Sequence, residues 1–456
     1  MALIMDFSEK EKQKITTDLS KMIQCKTVSH QDETKTDWKE FEKFTELLKK
    51  LYPETYKKCT LYKAGKTGLI HKLSGINKNP GHAVVLMAHY DVVPADEEEW
   101  DFKPFSGEIK TSIIRGRGTM DTKGTLCACM EAVELSLKKG WKPAQDLYLC
   151  FSGEEEINGW SCSEIVSWFS KKNITVDFVL DEGGAIVDDS FPGVKKPCAM
   201  IGTEEKGSTY IDLTISGKPG HASAPPKHST VGIASKIVTE LEKRPAHAEF
   251  TPSVKQLLRT MGKQNEIKPL KFIFSNLWLT KPLVILLSRI LGGELFALTH
   301  TTCAITKFEG SKSYNVLPSK ATVGMNFRLL GKDTVEKTVK RIEKMATRIA
   351  GKKHEVKVDV ISYGNPSRVS DTKCDQWNML CNVVKETWPE VIISPYLMMA
   401  CSDSRHYCQI TDKVYRFSAM YMTKKDRQMI HGLNESIRID ILLKTVDFYI
   451  NLLNQI

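Results

Sequence analysis

Three clusters of acid and imidazole side chains carry the chemistry this sequence can do. They are His89 with Asp91, the run Glu154, Glu155 and Glu156, and the pair Asp181 and Glu182. Each follows a short apolar run, at residues 83–88, 147–151 and 178–180. Between the first two clusters, Arg115 leads into GRGTMDTKG, residues 116–124, which sets Asp121 in a Gly-bounded loop ahead of a helical segment at 125–139. Histidine with several carboxylates and no cysteine is the ligand chemistry of zinc or a similar divalent ion. Each piece alone has a plainer reading: a structural His at a strand end, a solvated Glu loop, an Asp in turn chemistry. Their co-occurrence outweighs these, because clustered carboxylates repel and a cation relieves that repulsion. Competing motifs are missing. GxSxG does not occur, Ser161 in GWSCS lacks the closing Gly, and GRGTMD puts Asp121 where a nucleotide loop needs its third Gly.

Placing these groups together requires particular elements. The apolar runs read as buried strands alternating with helical segments at 125–139 and 163–170, the pattern of a doubly wound, mostly parallel α/β sheet. Ligands of such sheets bind at the carboxyl ends of the strands, where the acid groups fall. Ahead of the sheet, Ser8 caps an amphipathic helix carrying Ile15, Leu19 and Ile23, and a second helix covers 38–51. Period-two alternation at 209–216, 302–308 and 321–329, with a helix at 231–241, predicts a separate antiparallel sheet with helices on one face. A helix at 334–350, a strand at 356–362 and a closing helix at 435–453 read as the first architecture resuming. The expected organisation is a catalytic domain in two parts, 1–207 and 332–456, with an inserted α+β unit at 208–331.

Composition bounds the function classes. With 456 residues, 41% hydrophobic and 26% charged, the chain has ample core and is not a disordered or fibrous protein. The net charge of +10 comes from 65 basic residues interspersed with 55 acidic ones, without a basic block, so no nucleic acid is expected. Twelve cysteines with no CxxC pair read as thiols in a reducing compartment. The first residues lack an apolar export core, which makes the cytoplasm the expected location. The longest apolar stretch, 282–291, contains Arg289 and is about half the ~20 residues of a membrane-crossing helix, so no span is expected.

Taken in order, His89-Tyr90-Asp91-Val92-Val93-Pro94, GRGTMDTKG, Glu154-Glu155-Glu156, Asp181-Glu182-Gly183, GKPGHAS at 217–223, Asn315-Val316-Leu317-Pro318 and IHGLNE at 430–435 carry a resemblance over nearly the whole chain. They resemble the motifs of the co-catalytic zinc metallopeptidase family of aminoacylase, carboxypeptidase S and glutamate carboxypeptidase, nearest the N-acyl-amino-acid hydrolase and carboxypeptidase S branch. The resemblance implies two zinc ions per chain, with cobalt or manganese as alternatives, bridged by Asp121. His89 and a carboxylate of the Asp181–Glu182 pair, with Glu182 preferred, would complete one site, and Glu156 and His431 the other. Glu155 would be the general base that takes a proton from water and delivers it to the leaving amine. Asp91 would hold His89 in one tautomer.

The inserted unit resembles the family's lid or dimerisation domain, which implies a homodimer. His221 would then donate to the oxyanion in a neighbouring subunit's site, the plainer alternative being a turn-stabilising His. Asn315 and Arg328 match contacts to a substrate carboxylate, a role that suits the planar fork of Arg, while an edge-strand charge is the alternative for Arg328. Arg405 and His406, in CSDSRHY, match a further motif near the substrate. The activity implied is hydrolysis of the amide bond in N-acyl amino acids or small peptides with a free C-terminal carboxylate. A carboxypeptidase or dipeptidase is the alternative to an aminoacylase, and a metal-free binding protein the alternative outside the enzymes. The apolar stretch 272–298 reads as core or a dimer face. With its SNLW sequence it also resembles the mammalian branch that handles fatty-acyl amino acids, which implies a wall for an acyl chain.

Overall fold

The computed structural model describes residues 7–77 and 82–456. At the centre of its larger sheet, Ala83–His89 lies between Leu147–Ser152 and Val176–Asp181 and runs parallel to both. All seven residues of Ala83–His89 (AVVLMAH) are buried, as expected of a strand covered on both faces. Val414–Arg416 extends the parallel set beside Val176–Asp181, and Ile392–Met398 runs parallel to Cys198–Glu205 further out. The hairpin of Thr60–Ala64 and Gly68–Leu73 adds an antiparallel margin, giving ten strands among the described residues. The sheet is mixed and mostly parallel.

Helices cover it on both sides. Lys123–Lys138, buried along nearly its whole length, packs against Glu9–Ile23 and the closing helix Ile439–Leu453. Ser8 caps Glu9–Ile23 through a reciprocal pair with Glu11, leaving Ile15, Leu19 and Ile23 for the core. The closing helix begins at Ile439 rather than 435, because Ser436–Arg438 pairs as a short strand with Ile113–Arg115. The twelve cysteines are all free thiols.

The second sheet is antiparallel, in the order Thr302–Glu309, Lys320–Leu329, Gly207–Ser216, Glu355–Ser362. The alternating burial of Gly207–Ser216 turns Ile211, Leu213 and Ile215 onto the helices Thr230–Lys243 and Val335–Ala350. Two expectations are corrected here. Val335–Ala350 and Glu355–Ser362 were assigned to the resumed catalytic part, but they complete this sheet and its helical layer, so a boundary at 331/332 falls inside the unit. Amphipathic periodicity says which face of a helix is buried, not which sheet it covers. Conversely, the helices Pro252–Gln264, Lys268–Ser275 and Leu277–Leu291, expected in the inserted unit, contribute Leu258, Phe274 and Val284 to a cluster with Cys198, Ile392 and Leu397 of the larger sheet.

Candidate active site

Because the three central strands are parallel neighbours, their carboxyl ends coincide, and the groups that follow them meet. His89 closes its strand with Nε2 3.0 Å from Asp121 Oδ1 and 3.8 Å from Glu182 Oε1. Asp121 turns its other oxygen to His431, whose Nε2 lies 3.0 Å from Oδ2 and 3.0 Å from Glu156 Oε2. One carboxylate therefore faces two imidazoles, one oxygen to each. Donor atoms of His89, Asp121 and Glu156 lie within 4.8 Å of one another, the spacing of a metal-binding set.

The loop that presents Asp121 is held from below by the last residue of the IHGLNE segment. Glu435, fully buried, accepts hydrogen bonds from the backbone N–H groups of Gly118, Met120 and Asp121 and pairs with Arg117 at 2.8 Å. Gly118 turns at φ +91°, where an added Cβ would meet Val92 at 2.8 Å. The peptide bond between Asp121 and Thr122 is cis. His431 stands in the left-handed region at φ +57°, and its side chain is 53% exposed at the mouth of the site. An acid four residues after a candidate ligand, in a short polar loop, is the one signal in the sequence that could have singled out Glu435.

Asp91, buried completely, organises the opposite wall. Its Oδ1 accepts the Glu155 N–H at 3.1 Å, and its Oδ2 accepts the Glu156 N–H at 3.1 Å and the Ser29 hydroxyl at 2.7 Å. His89 Nδ1 donates to the Asp91 backbone carbonyl at 3.0 Å, with Asp91 Oδ1 at 3.4 Å, so Nε2 is the nitrogen left for the cluster. The same residue thus orients the imidazole and the Glu155–Glu156 turn.

Of the Asp181–Glu182 pair, Glu182 faces His89. Asp181 turns away, accepting the Ser404 N–H at 3.0 Å beside a buried network in which Glu205 binds Arg416 at 2.6 Å together with the Ser402 and Ser404 hydroxyls. Consecutive side chains of an extended chain point to opposite faces, so only one of the two can face the site.

Proton affinities show a site with too much negative charge. Burial, together with the Asp121 carboxylate, pushes Glu182 well above the ordinary carboxyl range. Burial does the same to Glu155, with Asp403, Glu182 and Glu156 adding repulsion. Burial alone would raise Asp121, yet hydrogen bonds from His431 and His89 hold it low. The Asp121 and Glu156 hydrogen bonds raise His431 to about 10. Protons on imidazole and carboxyl groups are thus the compensation open to the bare chain, and divalent cations on the same N and O donors are the other. The residues fit a metal centre.

Glu155 takes no side-chain hydrogen bond among the described residues, and its carboxyl lies within electrostatic reach of Arg405. Arg405 donates to Asn158 at 3.0 Å. His406, its proton affinity lowered to about 4 mainly by burial, holds an unpartnered Nε2. Arg328 donates to Cys401 Sγ at 3.7 Å, near Lys206. His221 and Asn315 are brought together elsewhere, on the small exposed ladder of Gly220–His221 with Val316–Leu317. Among the described residues the His221 ring hydrogen-bonds to Ser223 alone, at 2.8 Å, and neither His221 nor Asn315 is hydrogen-bonded to the His89–His431 cluster.

A family model described as peptidase family M20/M25/M40 matches residues 85–455. The chain belongs to this family. Among curated relatives, the N-fatty-acyl-amino acid synthase/hydrolase PM20D1 of Xenopus tropicalis is 32% identical over 99% of this chain and 88% of its own. The probable carboxypeptidase S-like 2 of Dictyostelium discoideum is 33% identical over 95% and 83%. The solved M20 metallo-carboxypeptidase Sso-CP2 of Sulfolobus solfataricus shares the fold, with a TM-score of 0.70 at 21% identity over 98% of this chain and 99% of that one. The Bacillus subtilis YXEP protein, described as a dinuclear metal-binding M20 peptidase, has a TM-score of 0.61 at 11% identity over 98% of both chains. As an M20 member the protein is a metal-dependent hydrolase, related to N-acyl-amino-acid hydrolases and carboxypeptidases.

Proposed function

We propose that this protein hydrolyses N-acyl amino acids through a di-zinc centre. The observation that carries the reading is Asp121, which offers one oxygen to His89, itself beside Glu182, and the other to His431, itself beside Glu156, next to a Glu155 carboxyl that takes no hydrogen bond among the described residues. His89, Asp121 and Glu182 would hold one ion and Asp121, Glu156 and His431 the other. Two such ions supply Lewis acidity to water and to the amide carbonyl. Glu155 accepts the proton of the attacking water and passes it to the amide nitrogen as the C–N bond breaks, so no nucleophilic side chain is required. Asp91 keeps His89 Nε2 and the Glu155 backbone in register. Arg328 takes the free carboxylate of the substrate, and Arg405 adds positive charge on the Glu155 side. His221 and Asn315, exposed and apart from this chain's cluster, serve the site of a second copy, which makes the active unit a homodimer.

The names of the relatives support an acyl amino acid and, as the second reading, a peptide with a free C-terminus. The test compares release of leucine by the zinc-loaded protein from N-acetyl-, N-oleoyl- and benzyloxycarbonyl-glycyl-leucine, with Glu155→Ala as control. Faster release from either acyl compound supports the reading. Preference for the glycyl compound makes the protein a carboxypeptidase, and release by Glu155→Ala equal to the parent's removes Glu155 from the chemistry.

A further inference from the structure

The helix Leu277–Leu291 is built the wrong way round for a globular protein. Its buried residues, Leu277, Thr280, Val284 and Ser288, include two hydroxyls. Its exposed side carries Leu279, Leu283, Leu286 and Ile290, spaced by four, three and four residues, so that they form one continuous stripe. These side chains are 41–69% exposed. At the start of the stripe Trp278 is 80% exposed, and across the bend to Lys268–Ser275 Phe272 is 55% exposed. The two helices meet at 112°, so both can lie along one surface.

Charge completes the pattern. Between Glu266 and Glu294 there is no acidic residue, while Lys268, Lys271, Lys281 and Arg289 are all present. Lys268, Lys271 and Arg289 are exposed and have no carboxylate partner among the described residues. Neither helix is long and apolar enough to cross a membrane: fifteen residues at ~1.5 Å each reach only ~22 Å of a ~30 Å hydrocarbon core. An apolar stripe flanked by free cations, with an exposed Trp at its edge, is the composition of a helix lying in the plane of a lipid headgroup layer.

We propose that the Lys268–Ser275 and Leu277–Leu291 helices dock this protein on a lipid bilayer containing anionic headgroups, with Leu279, Leu283, Leu286 and Ile290 entering the acyl boundary and Lys268, Lys271 and Arg289 meeting the headgroups. A second copy is the lesser occupant, because a symmetric contact would bring these cations near their own counterparts with no acid between them.

The test is flotation of the full chain with phosphatidylcholine vesicles and with vesicles containing ~30% phosphatidylserine, beside a triple variant Leu283→Ser, Leu286→Ser, Ile290→Ser. All three positions are exposed, and circular dichroism with the thermal midpoint monitors folding. The parent is expected to float with anionic vesicles, to bind them less at high salt, and to show quenching of Trp278 by brominated acyl chains that Trp278→Phe removes. The folded triple variant is expected to bind at least ~10-fold more weakly, and Lys268→Glu with Lys271→Glu to lose the preference for phosphatidylserine. No flotation by the parent, or equal flotation by the triple variant, overturns the proposal. So does a parent dimer that ignores vesicles and becomes monomeric in the triple variant, which gives the face to a second copy.

Discussion

Asp91→Asn tests the geometry most directly, because the substitution keeps size and removes one acceptor. Both Asp91 oxygens are committed to backbone donors, Oδ1 to Glu155 and Oδ2 to Glu156, each at 3.1 Å, and Ser29 adds a third bond at 2.7 Å. Asparagine has a single oxygen, so in either orientation its NH₂ group confronts one of the two N–H groups. A buried donor left without an acceptor costs about 1–3 kcal/mol, and the turn relaxes by displacing Glu155 or Glu156. Loss of the carboxylate beside His89 Nδ1 also weakens the hold on its tautomer, and changes of this kind cost about 10–100-fold in metal affinity or activity. Together they predict a fall in kcat/KM of roughly 100-fold, or about 2.7 kcal/mol, carried by kcat because Asp91 does not reach substrate.

Ser29→Ala is the control. It removes only the hydroxyl and leaves both carboxylate oxygens on their backbone donors, so stability is expected to fall by about 1 kcal/mol and kcat by less than about threefold. Steady-state hydrolysis and zinc competition against a chromogenic chelator measure both variants. Asp91→Asn with kcat/KM and zinc affinity within about twofold of the parent refutes the argument, as does a Ser29→Ala loss equal to that of Asp91→Asn.

Glu205→Ala leaves Arg416, fully buried, without the carboxylate at 2.6 Å, and is expected to destabilise the fold by about 3–5 kcal/mol in urea unfolding; a loss below about 1 kcal/mol contradicts the pairing. His71 is buried and held at about 4 by desolvation, with Nε2 at 2.9 Å from the Tyr56 hydroxyl. Between pH ~6.5 and ~4 the unfolded chain therefore binds a proton that the folded one refuses, and stability is lost as the pH drops through that window, by about 3 kcal/mol at this site. Unfolding free energies of the parent and His71→Gln at pH 7 and pH 4 check it: the variant should lose less on acidification, and an equal loss refutes the assignment.

Much of the architecture was legible because its signals are local. A continuous run such as AVVLMAH must be buried on both faces, and a Ser8–Glu11 cap beside a 3.6-residue apolar period defines a helix whatever surrounds it. The acid and imidazole clusters were legible for the same reason, since parallel strands bring successive loops to one end of a sheet without further information. What stayed out of reach were choices between partners. The strand Glu355–Ser362 alternates as any half-covered strand does, and only pairing with Gly207–Ser216 assigns it to the smaller sheet. The apolar content of 272–298 was plain, but its division between a face on the larger sheet and an exposed stripe was not.

The sequence by itself determined which residues are capable of the chemistry: imidazoles and carboxylates in loops after buried runs, with no competing nucleophile motif. Tertiary structure decided which of them come together. It turned Glu182 rather than Asp181 toward His89, gave Asp121 an oxygen for each imidazole, brought Glu435 under the Asp121 loop from 314 residues away, and left His221 outside this chain's cluster. Side-chain type is a property of one position, whereas direction and distance depend on strand register and on contacts between segments far apart in the chain, so they exist only once the chain has folded.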